Sequence, residues 1–433
     1  MKKTALVAGD GVAAILSALL LARRGTAVTW HASNRPGGHF AGIDACGRRF
    51  DPGMTFLELD SFAADSNAGV LTYDATRRND VGRFTPLVGK TLHELGIQTR
   101  KVPLPRMRVA GQTLPDAIVA NRLEGLRELP QAGRAREELR AIVAGGRGPL
   151  HAANKLRLER EPWSVLSRAN HGDSLHRSLF EPFARKLAGA DPLGPYHRLA
   201  WLPLYYPETL LRALEGEPSG LPETSFDLPV LGSLSAAVDL LATLARAEPG
   251  VKLAAGLPGA EALRSAPFAI WTAPPDALLK AAGEPAEAPE RVRLDLAFVL
   301  VPVAALRTRA SALFVVDGEH LPYRICDQDF AAGTGVELAR LCLEWGTEGA
   351  HDAGAALEEL GICEAGKVAQ AEHRSAPLTP ATAFNLRLAR EKDARLDRLF
   401  PGVLRIGAAA PFGAASFNDQ AVQALRAVAE ASS

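Results

Sequence analysis

Three small residues near the amino end have the spacing of a phosphate-binding turn. Gly9, Gly11 and Ala14 form a G-x-G-x-x-A pattern between two apolar segments, residues 4–8 and 12–24. A strand that turns sharply into a helix presents backbone N–H groups and the positive end of the helix dipole to an anion. The pattern predicts that this turn binds the pyrophosphate of a dinucleotide. The predicted cofactor-binding residues of the turn are Gly9, Gly11, Val12, Ala13 and Ala14.

A secretory signal is the alternative interpretation, because two lysines precede the apolar run. A signal peptide needs an unbroken apolar segment of about 7–15 residues. Gly9, Asp10 and Gly11 interrupt the run in its middle. Gly25, a residue type favoured just after helix ends, separates the run from a second predicted strand at residues 28–31. The complete strand–helix–strand unit favours the dinucleotide-binding interpretation.

The end of the second predicted strand departs from the usual dinucleotide pattern. An acidic side chain commonly accepts hydrogen bonds from the ribose hydroxyls at this position. This chain has His31 there instead. A neutral imidazole accepts only one hydrogen bond. We therefore expect His31 to contact the ribose and to hold it less firmly than a carboxylate would.

A glycine-rich segment and a short hairpin follow this unit. Residues 35–39 are RPGGH and residues 50–53 are FDPG. With the preceding turn, they resemble the FAD-dependent amine oxidase, phytoene desaturase and protoporphyrinogen oxidase superfamily, whose R-x-G-G-[RH] segment and FD.G hairpin they match. The resemblance implies FAD as the cofactor, with paired glycines against the pyrophosphate and an arginine adding positive charge beside it. The residues concerned are Arg35, Gly37, Gly38 and His39.

The carboxyl-terminal segment strengthens this resemblance. Residues 402–430 have the family's closing order of strand, glycine loop and helix, and the run NDQAVQAL is similar to the ending of UDP-galactopyranose mutases. The resemblance implies that the helix start faces the flavin. Asp419 suits the positive end of that helix, and a role as its N-cap is the alternative. The cofactor-binding residues implied here are Gly407, Asn418, Asp419 and Gln420.

The loop before this helix is a second departure from the family. Ala408 and Ala409 stand where relatives have Gly-Asp or Gly-Arg followed by aromatic residues. We therefore expect the protein around FAD to differ there from the usual arrangement.

Weaker similarities lie in the middle of the chain. Residues 180–192 resemble a segment of protoporphyrinogen oxidases and mutases that leads into their substrate domain, with Lys186 and Gly189 carrying the likeness. Residues 321–331 resemble a segment in which an arginine faces the substrate. The substrate-binding candidates implied by this likeness are Arg324 and Tyr323.

The order of these segments predicts an α/β fold, a Rossmann-type FAD/NAD(P)-binding domain with an inserted α+β substrate domain. The cofactor domain would combine residues 1–75, 215–290 and 390–433. The substrate domain would combine residues 76–214 and 291–389. Apolar spacings near 3.6 residues predict mostly helices over residues 115–215, and alternating apolar residues predict strands over residues 293–345.

Composition narrows the function classes. The chain has 49 basic and 49 acidic residues, so it lacks the basic surplus that nucleic-acid binding usually requires. Its four cysteines have no metal or redox spacing, which predicts reduced, mostly buried thiols in a cytoplasmic protein and no metal site. No stretch reaches the ~18 apolar residues of a membrane span. We expect a small-molecule substrate, no nucleic-acid partner and no membrane span, with a homodimer as the oligomer to test.

Three functions remain open at this stage. The leading interpretation is an FAD-dependent oxidoreductase, of the oxidase or desaturase type, that takes a hydride from a small organic substrate. The second is a redox-neutral enzyme similar to UDP-galactopyranose mutase, in which Arg324 binds a substrate diphosphate. The third is a flavin-free, non-catalytic homologue acting as a scaffold or partner subunit, suggested by the departures at His31 and residues 407–416. No catalytic base is predicted.

Overall fold

The computed structural model describes residues 3–59, 86–146, 160–187, 191–192, 202–221, 225–410 and 416–431. Gly189 and residues 411–415 of the predicted loop before the last helix lie outside the described residues. Within the described part, the chain forms two main sheets with helices packed against them. The α/β fold class is therefore confirmed.

The strands are, in chain order, β1 (Thr4–Ala8), β2 (Ala27–Ala32), β3 (Ile43–Ala45), β4 (Arg48–Phe50), β5 (Thr99–Lys101), β6 (Arg106–Val109), β7 (Gln112–Pro115), β8 (Asp227–Pro229), β9 (Val251–Ala255), β10 (Ala269–Trp271), β11 (Val292–Pro302), β12 (Leu313–Val315), β13 (Arg324–Asp327), β14 (Leu338–Trp345), β15 (Gln370–Leu378) and β16 (Val403–Arg405).

The α-helices are α1 (Val12–Arg23), α2 (Ala132–Ala144), α3 (Trp163–Leu175), α4 (Glu181–Lys186), α5 (Pro207–Glu215), α6 (Leu234–Ala247), α7 (Ala260–Ser265), α8 (Pro275–Ala281), α9 (Gln328–Ala332), α10 (Ala353–Glu359), α11 (Ala383–Leu399) and α12 (Phe417–Glu430).

The first sheet is parallel and has the strand order β16–β10–β1–β2–β9. Helix α1 is the crossover between β1 and β2, and its side chains from Val12 to Leu19 are all buried. Side chains of α1, α6 and α12 share one hydrophobic core with this sheet. Because parallel strands need covered faces, the continuous apolar sequence of β1 and α1 fits this buried position. The carboxyl ends of β1 and β2 thus lie side by side.

The second sheet has the order β15–β11–β14–β13–β12–β6–β7. Its neighbours are antiparallel except for β12 and β6, which run parallel. Four of its strands fall between residues 292 and 345, where alternating apolar residues predict strands. The described residues from 123 to 215 are helical apart from their connections, as predicted. The division of the chain into a cofactor domain and a substrate domain stays a prediction.

Among the described helices, none combines the length and the apolar character needed to cross a bilayer. All four cysteines are free thiols, and three of them are buried. In the described part of the chain, no three His, Cys, Asp or Glu side chains are grouped as metal ligands.

Lys186 is a buried lysine between the helical segment and the second sheet. Its Nζ donates to the carbonyl oxygens of Val315 at 3.0 Å and Asp317 at 2.5 Å. Burial lowers the pKa of Lys186 from 10.5 to about 7, although the Asp317 charge acts in the opposite direction. The folded protein therefore releases this proton at a lower pH than the unfolded chain does.

This pKa predicts a pH-dependent stability. Between pH 7 and 10.5 the unfolded chain binds more protons at Lys186 than the folded protein does, so the free energy of unfolding rises with pH over this range. This gain is lost as the pH falls back to about 7. From pH 6 to pH 9, the free energy of unfolding of the wild type should rise by about 2–3 kcal/mol relative to that of Lys186→Met. Urea titrations at the two pH values measure this change. Lys90→Met, at an exposed lysine, is the surface control. A difference that is constant with pH would contradict the prediction.

Candidate functional site

The turn after β1 has the backbone geometry that dinucleotide binding requires. Gly9 has φ +122°, which favours glycine, and a Cβ there would collide with Oγ1 of Thr272 on the neighbouring strand end. Gly11 is the N-cap of α1 and provides no side-chain cap, and the first turn of α1 has no acidic residue. The positive end of α1 therefore has no anion within its own first turn.

The paired-glycine loop packs directly on this turn. The Gly37 N–H donates to the Asp10 carbonyl oxygen at 2.6 Å. A Cβ on Gly38 would lie 3.4 Å from the Gly11 Cα. The exposed His39 follows, with its ring centroid 3.9 Å from that of Phe40. The structure thus brings the two predicted glycine segments into contact.

Two charged or polar residues predicted to meet the dinucleotide have partners within the protein. Arg35 Nη2 lies 3.0 Å from Asp44 Oδ2 in an exposed ion pair. His31 Nδ1 lies 3.0 Å from the Gly256 carbonyl oxygen. Because a carbonyl only accepts, Nδ1 carries the proton, and Nε2 of a neutral ring is then an acceptor. Exposed ion pairs contribute only ~0–1 kcal/mol, so a phosphate can compete with Asp44 for Arg35.

The start of α12 is fixed by a capping box. The Ser416 Oγ accepts the Asp419 N–H at 3.0 Å, and the Asp419 carboxylate accepts from the Ser416 N–H at 3.2 Å. The N-cap alternative for Asp419 is therefore wrong: Ser416 holds that position, and Asp419 is the third helical residue. Asn418 Nδ2 donates to the Glu58 carbonyl at 2.7 Å, which fastens the helix start to the segment after the hairpin.

Gly407 and Gln420 show how α12 meets the rest of this region. The Gly407 N–H donates to Gln423 Oε1 at 2.6 Å. Gln420 reaches the turn itself, since its Oε1 accepts the Ala13 N–H at 3.3 Å. The same oxygen lies 3.0 Å from the place that a Cβ on Gly11 would take. The room that Gly11 leaves by lacking a side chain is thus filled by the carboxamide of Gln420.

Asp51 joins the hairpin to α6. Its buried carboxylate accepts the N–H groups of Leu234 at 2.9 Å and Ser235 at 3.0 Å, and the Thr55 hydroxyl at 2.9 Å. A carboxylate at a helix N-terminus satisfies N–H groups that have no partner within the helix. The FD.G match therefore has a physical cause: its aspartate anchors a helix. The FD.G pattern includes Asp51 but does not indicate which helix it anchors.

The two substrate-binding candidates lie in a buried ionic cluster of the second sheet. Arg324 and Glu344 face each other across β13 and β14. The guanidinium Nε and Nη2 lie 2.6 Å and 2.7 Å from the two carboxylate oxygens. The Tyr323 hydroxyl donates to Glu344 Oε2 at 2.8 Å. A Cβ on Gly53 would lie 2.8 Å from the same carboxylate, so the cluster borders the end of the FD.G segment.

Burial and charge shift the pKa values of this cluster. Burial, with the Glu344 charge as a second cause, raises the pKa of Tyr323 well above its usual value. Burial alone would lower the pKa of Arg324, but the Glu344 carboxylate raises it above its usual range. The cluster therefore holds a neutral phenol and a charged guanidinium at neutral pH. Contact of Arg324 and Tyr323 with a substrate stays a prediction.

No protein-family model matches the chain, and no curated protein matches it. Solved structures match it along its whole length. A reduced UDP-galactopyranose mutase has a TM-score of 0.68 at 13% identity, over 100% of this chain and 93% of the mutase. An oxidoreductase from Methanosarcina mazei has a TM-score of 0.58 at 13% identity, over 98% and 99% of the two chains. Putrescine oxidase bound to putrescine has a TM-score of 0.55 at 12% identity, over 99% of each chain. The chain therefore shares the fold of these solved structures.

Proposed function

We propose that the chain is a flavin-dependent oxidoreductase that holds FAD between the turn after β1, the paired-glycine loop and the start of α12. The observation that carries the proposal is the convergence of these three segments on one point. Gly38 and Gln420 come from distant parts of the sequence, and both lie against Gly11. The fold shared with solved oxidoreductases supports this assignment.

The residues of the turn are of the types that bind a dinucleotide. The Gln420 carboxamide would compete with the dinucleotide for the Ala13 N–H. Gly11 and the following N–H groups of α1 would hold the pyrophosphate, because the helix end is positive and lacks an acidic residue. Arg35 would add charge from the loop by exchanging Asp44 for phosphate. His31 would accept one ribose hydroxyl through Nε2.

FAD, when bound, supplies hydride acceptance. The chain's own residues would bind and orient the cofactor and the substrate. The backbone N–H groups at the start of α12 favour negative charge in front of them. The buried strands of the second sheet would exclude water from the reacting atoms. The substrate would be a small organic molecule with a C–H or C–N bond to oxidise.

A redox-neutral, mutase-like activity is the second candidate. It is favoured by the buried guanidinium of Arg324, since arginine recognises diphosphates in a forked geometry. The fork edge of Arg324 already contacts Glu344, so a substrate diphosphate would have to approach another edge. Turnover that needs reduced cofactor but transfers no net electrons would distinguish this activity from an oxidase.

The proposal is tested first by the cofactor content of the purified chain. We expect visible flavin absorbance and release of FAD, identified by mass. If the protein is isolated without cofactor, added FAD at about 100 times its Kd should raise the free energy of unfolding by about 2.7 kcal/mol. Riboflavin, which lacks the pyrophosphate, should stabilise the protein much less. Absence of both the absorbance and the FAD effect would favour the flavin-free alternative.

A pair of glycine variants tests the location of the cofactor. Gly11 and Gly259 are both N-cap glycines with nearly identical dihedral angles, φ −70° and ψ 169° against φ −72° and ψ 165°. A Cβ on Gly11 would crowd Gln420, whereas Gly259 has open space. Gly11→Val should raise the Kd for FAD by at least about tenfold, ~1.4 kcal/mol, and Gly259→Val should leave it unchanged. Equal effects would contradict the assignment.

A further inference from the structure

We propose that the Gln420 side chain occupies the pyrophosphate seat of the cofactor-free protein and must leave it before FAD binds. The pyrophosphate seat is the space bordered by the backbone of Gly11 and Ala13 and by Gly38. The identity of the ligand rests on the proposed function, whereas the Gln420 contact is a feature of the chain itself. Gln420 would then act as a latch that sets how tightly the cofactor binds.

The contact lies where a phosphate oxygen would need to be. Gln420 Oε1 accepts the Ala13 N–H, in the first turn of α1, at 3.3 Å. It also lies 3.0 Å from the place that a Cβ on Gly11 would take. Because Gly11 lacks a side chain, a pyrophosphate could approach the backbone at this place. Two acceptors cannot fill the same place. The carboxamide and the phosphate therefore exclude each other at this N–H.

The N-terminus of α1 has backbone N–H groups that need an acceptor when no cofactor is bound. The first N–H groups of a helix have no partner within it. Gly11 has no side chain to cap α1, and no acidic residue lies in its first turn. Gln420, 407 residues away in sequence, brings an oxygen to this buried position and is itself only 4% exposed. It thus stabilises the helix end while the cofactor is absent.

The same contact is weak enough to be replaced. A neutral hydrogen bond of 3.3 Å is longer than the usual 2.9–3.0 Å. A phosphate carries charge, and charge-assisted bonds are roughly twice as strong as neutral ones. FAD would therefore displace the carboxamide, but its apparent affinity would be reduced by the interaction that it replaces.

Only the side chain of Gln420 has to move. The start of α12 is held by the Ser416–Asp419 capping box and by the pairing of Asn418 with the Glu58 backbone. These contacts do not involve the carboxamide of Gln420. A rotamer change would open the pyrophosphate seat while the helix stays in place.

The test measures FAD affinity and cofactor-free stability in Gln420 variants. Gln420→Ala removes the latch, so the Kd for FAD should fall about tenfold, while the melting temperature without FAD should drop by about 1–2 °C. Hydrogen exchange at the Ala13 amide should become faster. Gln420→Glu places a negative charge in the pyrophosphate seat and should raise the Kd at least about tenfold.

Asn385→Ala is the matched control for a loosened fold. Asn385 is a buried amide on α11 that bonds to Glu290 and Pro380 and not to the turn. Its loss should lower the melting temperature without changing the Kd for FAD. Unchanged or weaker FAD binding by Gln420→Ala would overturn the latch. If no variant binds FAD, the proposed function fails, and faster exchange at Ala13 in Gln420→Ala would still support Gln420 as the occupant of this place.

Discussion

Replacing Glu344 by alanine is expected to destabilise the folded chain by about 3–5 kcal/mol, because it leaves a buried guanidinium without its counter-ion. Arg324 and Glu344 are only 5% and 3% exposed, and two hydrogen bonds join them. The variant also removes the acceptor of the Tyr323 hydroxyl. Urea unfolding followed by circular dichroism measures the loss. Glu344→Gln should also be strongly destabilised, because it keeps the shape but not the charge.

Two control variants show whether the loss of stability in Glu344→Ala comes from the unpaired buried charge. Glu364→Ala breaks an exposed pair with Arg307 at 2.7 Å, and exposed pairs contribute only ~0–1 kcal/mol. The double variant Arg324→Met with Glu344→Leu replaces both buried charges by apolar side chains. It should recover most of the stability, since the penalty of a lone buried charge disappears. A cost below about 1 kcal/mol for Glu344→Ala would contradict the buried pair.

Much of the fold could be predicted because local patterns coincide with it. The apolar run at residues 4–8 ends before Gly9, and strand β1 covers the same residues. The predicted helix over residues 12–24 ends one residue earlier, at Arg23. The pairing of distant strands is different, because it depends on tertiary contacts. The parallel neighbours β12 and β6 are separated by some two hundred residues, and nothing in either short segment indicates the other.

In the candidate site, too, features with a local sequence pattern could be predicted and contacts between distant segments could not. Gly37 and Gly38 could be placed near the turn from sequence, because glycine pairs are required where backbones approach closely. The partners of Arg35 and Gln420 could not be predicted in this way. Asp44 meets Arg35 only after the β3–β4 hairpin forms, and Gln420 meets Ala13 only after α12 packs on α1. Such contacts between side chains of distant segments carry no local pattern.

Replacing Asp51 by alanine is expected to cost about 3 kcal/mol or more, because three donors lose one carboxylate. The Leu234 and Ser235 N–H groups and the Thr55 hydroxyl would all lose their acceptor in a buried place. Each unsatisfied buried donor costs roughly 1–3 kcal/mol. Asp51→Asn should cost less, because one oxygen remains as an acceptor. The free energy of unfolding from urea titration measures both variants.

Ser233→Ala is the matched control, because Ser233 caps the same helix. Its Oγ accepts one backbone N–H of α6, that of Ala236 at 3.1 Å, and also the Ser235 hydroxyl at 3.3 Å. Loss of such a cap costs about 1 kcal/mol. Asp51→Ala should therefore be more destabilising than Ser233→Ala by about 2 kcal/mol. Equal losses would show that Asp51 acts as an ordinary cap and does not tie the hairpin to α6. The larger loss would instead show that the aspartate of the FD.G segment stabilises the packing of the hairpin on α6.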